Sequence, residues 1–179
     1  MFLETNRLTL RKWEEADFDD FYEYANDPEM CRMMGRADCS DPESARQTFH
    51  WLKDKEERGY AMVLKENGKV IGNLTVTSAA HLGDLPQLRG KKGCAMSFSV
   101  SRHYQRRGYM EAALGAVIHQ LFTAEGMDYI NCGAFDFNLP SLALQRKLGF
   151  LPLKTDCFVE NGETITVLEQ ILWRIPNFV

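Results

Sequence analysis

"QRRGYM", residues 105–110, joins a short apolar run, "CAMSFSV" (94–100), to a longer amphipathic one, "EAALGAVIHQLF" (111–122). The first run reads as a strand and the second as a helix, so the six residues between them sit at a helix start. A helix start offers backbone N–H groups without intrahelical acceptors and the positive end of the dipole. Gly108 lets the backbone approach a bulky ligand, and Arg106 and Arg107 add positive charge beside those donors. Together they suit an anion of the diphosphate type. A surface turn carrying two solvated arginines accounts for these six residues equally well.

On either side the chain alternates elements. "RLTLRKW" (7–13) alternates apolar and polar residues as a half-buried strand does. Residues 14–27 read as a helix with Phe18, Phe21, Tyr22 and Ala25 on one face, and Pro28 ends it or begins another turn. Residues 40–59 read as a second helix, capped by Asp41, with Pro42 in its first turn and Gly59 at its stop. Asn67-Gly68 predicts a hairpin within "YAMVLKENGKVIGNLTV" (60–76). Residues 78–93 read as a loop or an irregular strand. The helix over 108–125 places Leu114, Val117, Ile118, Leu121 and Phe122 at core spacing. A strand (128–135), a short helix ending at Gly149 and a closing strand (164–175) complete the chain. Hairpins leading into a βαβα half predict an α/β (α+β) chain, with one mixed sheet and helices on both faces.

Composition narrows the function classes. The chain has 179 residues, is 45% hydrophobic and carries a net charge of −4, which suits one domain over 1–179. That balance argues against a general nucleic-acid or membrane-surface binder, so an anion site has to be local. The N-terminus is too charged for a signal peptide, and no apolar run has the roughly 20 residues of a membrane span. The five cysteines, Cys31, Cys39, Cys94, Cys132 and Cys157, are scattered and form no CxxC pair. Reduced cytoplasmic thiols are expected, with neither a structural metal nor a disulfide framework.

With this context, Gln105-Arg106-Arg107-Gly108-Tyr109-Met110 resembles the Q/R-x-x-G-x-G/A coenzyme A pyrophosphate motif of the GNAT N-acetyltransferases. Met110 departs from it, standing where the motif has Gly or Ala. "NLPSLALQRKLGF" (138–150) resembles the family's N-x-x-S/A…K-x-G-F block. The opening, residues 4–30, resembles the start of the RimJ/RimL-like branch, which modifies ribosomal-protein N-termini. The resemblance implies a sheet splayed between its fourth and fifth strands, 94–100 and 128–135, with acetyl-CoA as co-substrate. It implies that backbone around Phe98–Val100 bonds the pantetheine arm and that N–H groups of 106–110 hold the pyrophosphate. Asn138 and Ser141 are then expected near the thioester.

Acetyl transfer to an amine needs a deprotonated amine, a polarised carbonyl and a stabilised thiolate. It needs no covalent intermediate when both substrates bind together. The family's tyrosine acid aligns with Gln145 and its strand glutamate with Ala95, so neither role carries over. Ser141 either donates to the thiolate or is a small residue in a helical turn. Asn138 either contacts the substrate or caps that helix. His81, Asp84, His103 and Asp136 are the candidates for a base, each with a solvated surface role as its alternative. Tyr22, Tyr24, Met30, Met33, Met34 and Trp51 are candidates to line an acceptor pocket, although most of the aromatics, at helical spacing, read as core; "CRMMG" (31–35) is expected as a loop.

Two functions from different classes follow. One is acetyl-CoA-dependent transfer to a protein N-terminus or a small amine. The other is an acyl-CoA-binding sensor or partner-binding module with little catalysis. A nucleotide-binding α/β protein is disfavoured, because no P-loop or G-x-G-x-x-G follows a strand. The closing strand, 164–175, is expected at an open edge, which admits a homodimer as well as a monomer.

Overall fold

The computed structural model describes residues 2–35, 41–54, 58–160 and 162–175. Cys39 and residues 55–57 of the predicted second helix lie outside them. The strands are β1 (Leu3–Glu4), β2 (Leu8–Arg11), β3 (Arg58–Leu64), β4 (Val70–Ser78), β5 (Gly93–Val100), β6 (Tyr129–Phe135), β7 (Leu151–Glu160) and β8 (Glu163–Trp173). The helices are α1 (Phe18–Ala25), α2 (Pro28–Met34), α3 (Pro42–Asp54), α4 (Tyr109–Thr123) and α5 (Leu139–Lys147). The strands form one mixed sheet in the order β1-β2-β3-β4-β5-β6-β8-β7. The chain divides into two compact units, residues 1–76 with 98–117, and residues 77–97 with 118–179.

The first unit is built on local signals. Asn67-Gly68 makes the expected turn between β3 and β4: Gly68 has φ 77°, and Leu64 N–H donates to the Lys69 carbonyl at 2.8 Å. Asp41 accepts from the N–H groups of Glu43 and Ser44 at 3.1 and 2.8 Å, capping α3 as predicted. The predicted helix over 14–27 is interrupted at its start. Asp17 is buried, receives two bonds from the Arg11 guanidinium at 2.7 and 2.8 Å, and closes a turn ahead of α1. Trp13, Phe21, Phe49 and Leu52 pack into the core between these helices and β3.

Three expectations here are corrected. "CRMMG" is no loop: Asp27 accepts from the N–H groups of Glu29 and Met30, Pro28 opens α2 and Gly35 ends it at φ 59°. Met30 is buried rather than lining an open pocket, and Tyr24 is buried in line with the core reading of the aromatics. Gly59 does not stop α3 but lies in β3, where a Cβ would come within 2.8 Å of the Leu52 carbonyl.

In the second unit β6 pairs in parallel with β5, Gly93–Ala95 against Tyr129–Asn131, and antiparallel with β8 along its whole length. Residues 78–93 form two 3-10 turns, Ala80–Leu82 and Pro86–Leu88, whose leucines pack with Ala95, Tyr129 and Ile171. The closing strand is not at an edge. A strand unread in the sequence, β7, pairs with β8 from Leu151 to Glu160 and takes the outer place. Among the described residues no helix is long and apolar enough to cross a membrane.

Candidate active site

Residues 105–108 form a turn that leads into the start of α4. Arg106 has φ 59°, the single positive value at a non-glycine among the described residues, and Gly108 has φ 76°. Positive φ on both sides of Arg107 is the kind of backbone from which an anion-binding nest of successive N–H groups can be built. The Gly108 carbonyl accepts from Ala112 N–H at 3.1 Å, so Gly108 is the residue from which the helix springs. Tyr109 and Met110 open the helix, in the turn where an α-helix offers N–H groups no intrahelical acceptor. Gln105, Arg106, Arg107 and Gly108 are exposed, whereas the side chains of Tyr109 and Met110 are buried. Those two therefore offer backbone N–H groups, and Met110 sends its bulk into the core rather than into the loop.

A third arginine reaches the nest from the other end of the chain. Arg7 Nη2 donates to the Arg107 carbonyl at 2.7 Å, and the Arg7 guanidinium lies 4.3 Å from the centre of the Tyr109 ring. Nothing in the motif announces Arg7, which is 100 residues away from Arg107.

The end of β5 leads into the nest. Phe98 and Val100 are half-buried, and the Val100 carbonyl accepts from Gln105 Nε2 at 3.4 Å. Ser99 points the other way and donates to Asn73 Oδ1 at 2.5 Å, which also accepts from the Tyr24 hydroxyl at 3.1 Å. β4 approaches closely because residue 72 is glycine: a Cβ there would stand 2.3 Å from the Ser99 carbonyl.

The second unit holds the other sequence candidates. Asn138 caps α5 by accepting from Ser141 N–H at 3.2 Å. Ser141 Oγ accepts from Gln145 Nε2 at 3.0 Å, which leaves the Ser141 hydroxyl hydrogen available to donate. Gln145 is fully buried and its Oε1 has no hydrogen-bond partner. A recess of about 240 Å³ opens between the 78–93 segment and Tyr129, and neither Ser141 nor Glu169 lines it.

The base candidates separate clearly. Asp84 is bound by the Arg89 guanidinium at 2.8 and 2.6 Å, and that hydrogen bond holds its carboxyl below the usual carboxylate range. His103 and Asp136 are exposed. His81 alone meets a buried acid: its Nε2 lies 3.7 Å from Glu169 Oε1. Asn131 Nδ2 donates to the other oxygen, Oε2, at 2.8 Å. Burial, with the Glu169 charge added, pushes the neighbouring Cys132 thiol up to about 12. Glu169 was missed, though a glutamate inside the apolar run "TITVLEQILW" (164–173) was a signal, since carboxylates are rarely buried without a partner. Among the described residues no group of three or more His, Cys, Asp or Glu side chains could hold a metal ion.

Residues 7–151 match the family model described as an acetyltransferase (GNAT) domain. The chain is similar to p20, an uncharacterized N-acetyltransferase of Bacillus licheniformis, with 28% identity over 152 residues that cover 83% of this chain and 81% of the relative. In structure it is similar to the ribosomal-protein alanine acetyltransferase of Vibrio fischeri, with TM-score 0.74, 18% identity and coverage of 97% and 96%. It is also similar to spermidine N-acetyltransferase of Vibrio cholerae, solved with CoA and spermine, with TM-score 0.74, 14% identity and coverage of 94% and 96%.

Proposed function

Because the chain belongs to the GNAT family of acetyltransferases, we propose that it transfers the acetyl group of acetyl-CoA directly to a primary amine, with both substrates bound at once. The observation that carries this is the nest at 105–108, with left-handed residues on both sides of Arg107 at the start of α4. In this reading the N–H groups of 106–110 hold the pyrophosphate, Arg7, Arg106 and Arg107 neutralise it, and the backbone of Phe98 and Val100 bonds the pantetheine arm. Gln105 braces the Val100 carbonyl. Ser141 donates a hydrogen bond to the departing thiolate, and Asn138 positions Ser141 by capping α5.

The acceptor we favour is a protein N-terminus, the acceptor of the RimJ/RimL type. An α-amine has a pKa of about 7.7–8.0 against about 10.4 for lysine, so freeing lysine at neutral pH costs roughly 3–4 kcal/mol more. Neither family group for handling that proton is present, since Ala95 and Gln145 occupy their positions, and the amine that is cheaper to free asks less of whatever group takes their place. Named acceptors of the structural neighbours include a ribosomal protein and spermidine, and a small polyamine is the next choice.

The test is thermal unfolding with and without acetyl-CoA. A ligand at about 100 times its Kd stabilises by roughly 2.7 kcal/mol. For a chain of this size that raises Tm by about 5–10 °C. Gly108→Glu forces a side chain onto a residue at φ 76° and adds a carboxylate at the phosphates, so its rise is expected to vanish. A wild-type protein with no rise refutes the reading.

A further inference from the structure

A buried carboxylate is retained only when something compensates its charge. Glu169 lies on β8 directly opposite Gly133 on β6, and its side chain is 8% exposed. Asn131 Nδ2 holds Oε2, while no lysine or arginine among the described residues comes within 4.0 Å of the carboxylate. The facing group is His81, whose side chain is 47% exposed and whose Nε2 stands 3.7 Å from Oε1, beyond a direct hydrogen bond. A Cβ on Gly133 would come within 2.9 and 3.0 Å of the two carboxylate oxygens, so the absent side chain is what lets the acid lie across β6. Gly133 itself is exposed. The acid therefore has one oxygen fixed from within the protein and the other beside an imidazole and an open glycine.

We infer that Glu169 and His81 are the acceptor-amine site: Glu169 Oε1 binds the substrate ammonium across Gly133, and His81 Nε2 takes its proton. This rests on the acetyl-transfer reading above. The ammonium gives one proton to neutral His81, and the freed nitrogen lone pair attacks the thioester carbonyl carbon. The C–N bond forms and the C–S bond breaks, with its electron pair leaving on the CoA sulfur. The second N–H proton goes to that thiolate, and His81 later returns its proton to water. The products are the amide, CoA thiol and one proton. The site selects a cationic primary amine, and a bare glycine beside the acid leaves room for its substituent.

Two experiments test this. Ethylammonium chloride is the acceptor-independent probe, with sodium chloride at equal ionic strength as control. It is expected to raise the Tm of the wild-type protein and not that of Glu169→Gln, which keeps an oxygen for Asn131. Gly133→Ala, which crowds the carboxylate, is expected to lose the same rise. The kinetic arm uses acetyl-CoA with a peptide bearing a free α-amine and with spermidine. Glu169→Gln is expected to raise the amine KM by about 10–100-fold, as loss of a binding charge does. His81→Ala is expected to lower kcat by roughly 100-fold or more, the range of a lost general base, with partial rescue by added imidazole. Acetyl-CoA affinity is unchanged in both. An equal ethylammonium shift in Glu169→Gln, no shift in the wild type, or wild-type kinetics in both variants overturns the inference. A wild-type protein that responds to ethylammonium but binds no acetyl-CoA instead sinks the acetyl-transfer reading alone.

Discussion

Arg7 provides a sharp test of the phosphate nest, because it touches the loop without belonging to the motif. In Arg7→Ala the loop loses a charged donor to the Arg107 carbonyl and a guanidinium over the Tyr109 ring. A bond to a charged donor contributes about 1.5–3 kcal/mol, and an exposed cation–π contact about 0.5–1 kcal/mol. Arg7 is exposed, so solvent screening reduces the sum to about 1–2 kcal/mol. Without acetyl-CoA this lowers Tm by about 2–8 °C. The larger consequence concerns the backbone. Arg106 sits at φ 59°, a conformation that costs about 1–2 kcal/mol per residue and persists when its surroundings enforce it. Released from Arg7, the nest has to be re-formed on binding, and that cost appears in affinity as a Kd rise of about 5–30-fold. Isothermal titration with acetyl-CoA measures it directly. Arg7→Lys keeps the charge and a donor but loses the planar stack, and an intermediate Kd is expected. An Arg7→Ala protein that is folded and binds acetyl-CoA within twofold of wild type refutes the claim that Arg7 holds the nest.

Three further outcomes are expected. Gly72→Ala puts a methyl group 2.3 Å from the Ser99 carbonyl and 2.9 Å from Val100 Cα, so β4 and β5 have to separate there; overpacking of this kind costs about 3 kcal/mol and lowers Tm by roughly 6–12 °C by calorimetry. Brief alkylation of the native protein, read by peptide mass spectrometry, labels Cys157 ahead of Cys31, Cys94 and Cys132, because Cys157 is exposed and the Cys132 thiol, pushed up to about 12, stays protonated near neutral pH. The Asp41 carboxyl is held below its ordinary value of 3.8, chiefly by the Ser44 hydroxyl. Its contribution to α3 is therefore complete above that value and lost as pH falls through the lower folded value. The Tm gap between wild type and Asp41→Asn is expected to close on acidification through that window, and a gap constant with pH contradicts the assignment.

What the sequence made legible was local. The helix start after Gly108, the Asn67-Gly68 turn, the Asp41 cap and the core face of α4 each depend on residues close together in the chain, where dihedral preference and periodicity speak directly. The misreadings have equally local causes. Asp27-Pro28 and Gly35 bracket α2 with a standard start and stop, but a seven-residue helix gives too few turns for its period to show. Asn161-Gly162 repeats the hairpin signal of Asn67-Gly68, yet the run before it, "LPLKTDCFVE" (151–160), lies at a largely exposed edge and lacks alternation. Arg7 and the Glu169–Asn131–His81 group could not be read at all. Their partners lie 100, 38 and 88 residues apart along the chain, and only the tertiary fold brings them together.

Glu169 also explains why an acceptor site of this kind needs two groups. A carboxylate beside an ammonium favours the charged form and so raises the amine's pKa. Each unit of that rise adds about 1.4 kcal/mol to the cost of freeing the nucleophile. Glu169 alone would thus tighten binding of the substrate and slow its chemistry, a gain in KM set against a loss in kcat. The opposition is relieved if the proton has a nearby destination that is neutral when the amine arrives. An imidazole nitrogen can accept a proton, and His81 faces the same carboxylate oxygen at 3.7 Å. Once His81 takes the proton it becomes a cation beside Glu169, so the carboxylate that first stabilised the ammonium now stabilises the imidazolium. The charge on the acid is used twice, and deprotonation no longer has to work against it. For this reason the two variants are expected to separate, with Glu169→Gln read mainly in KM and His81→Ala mainly in kcat.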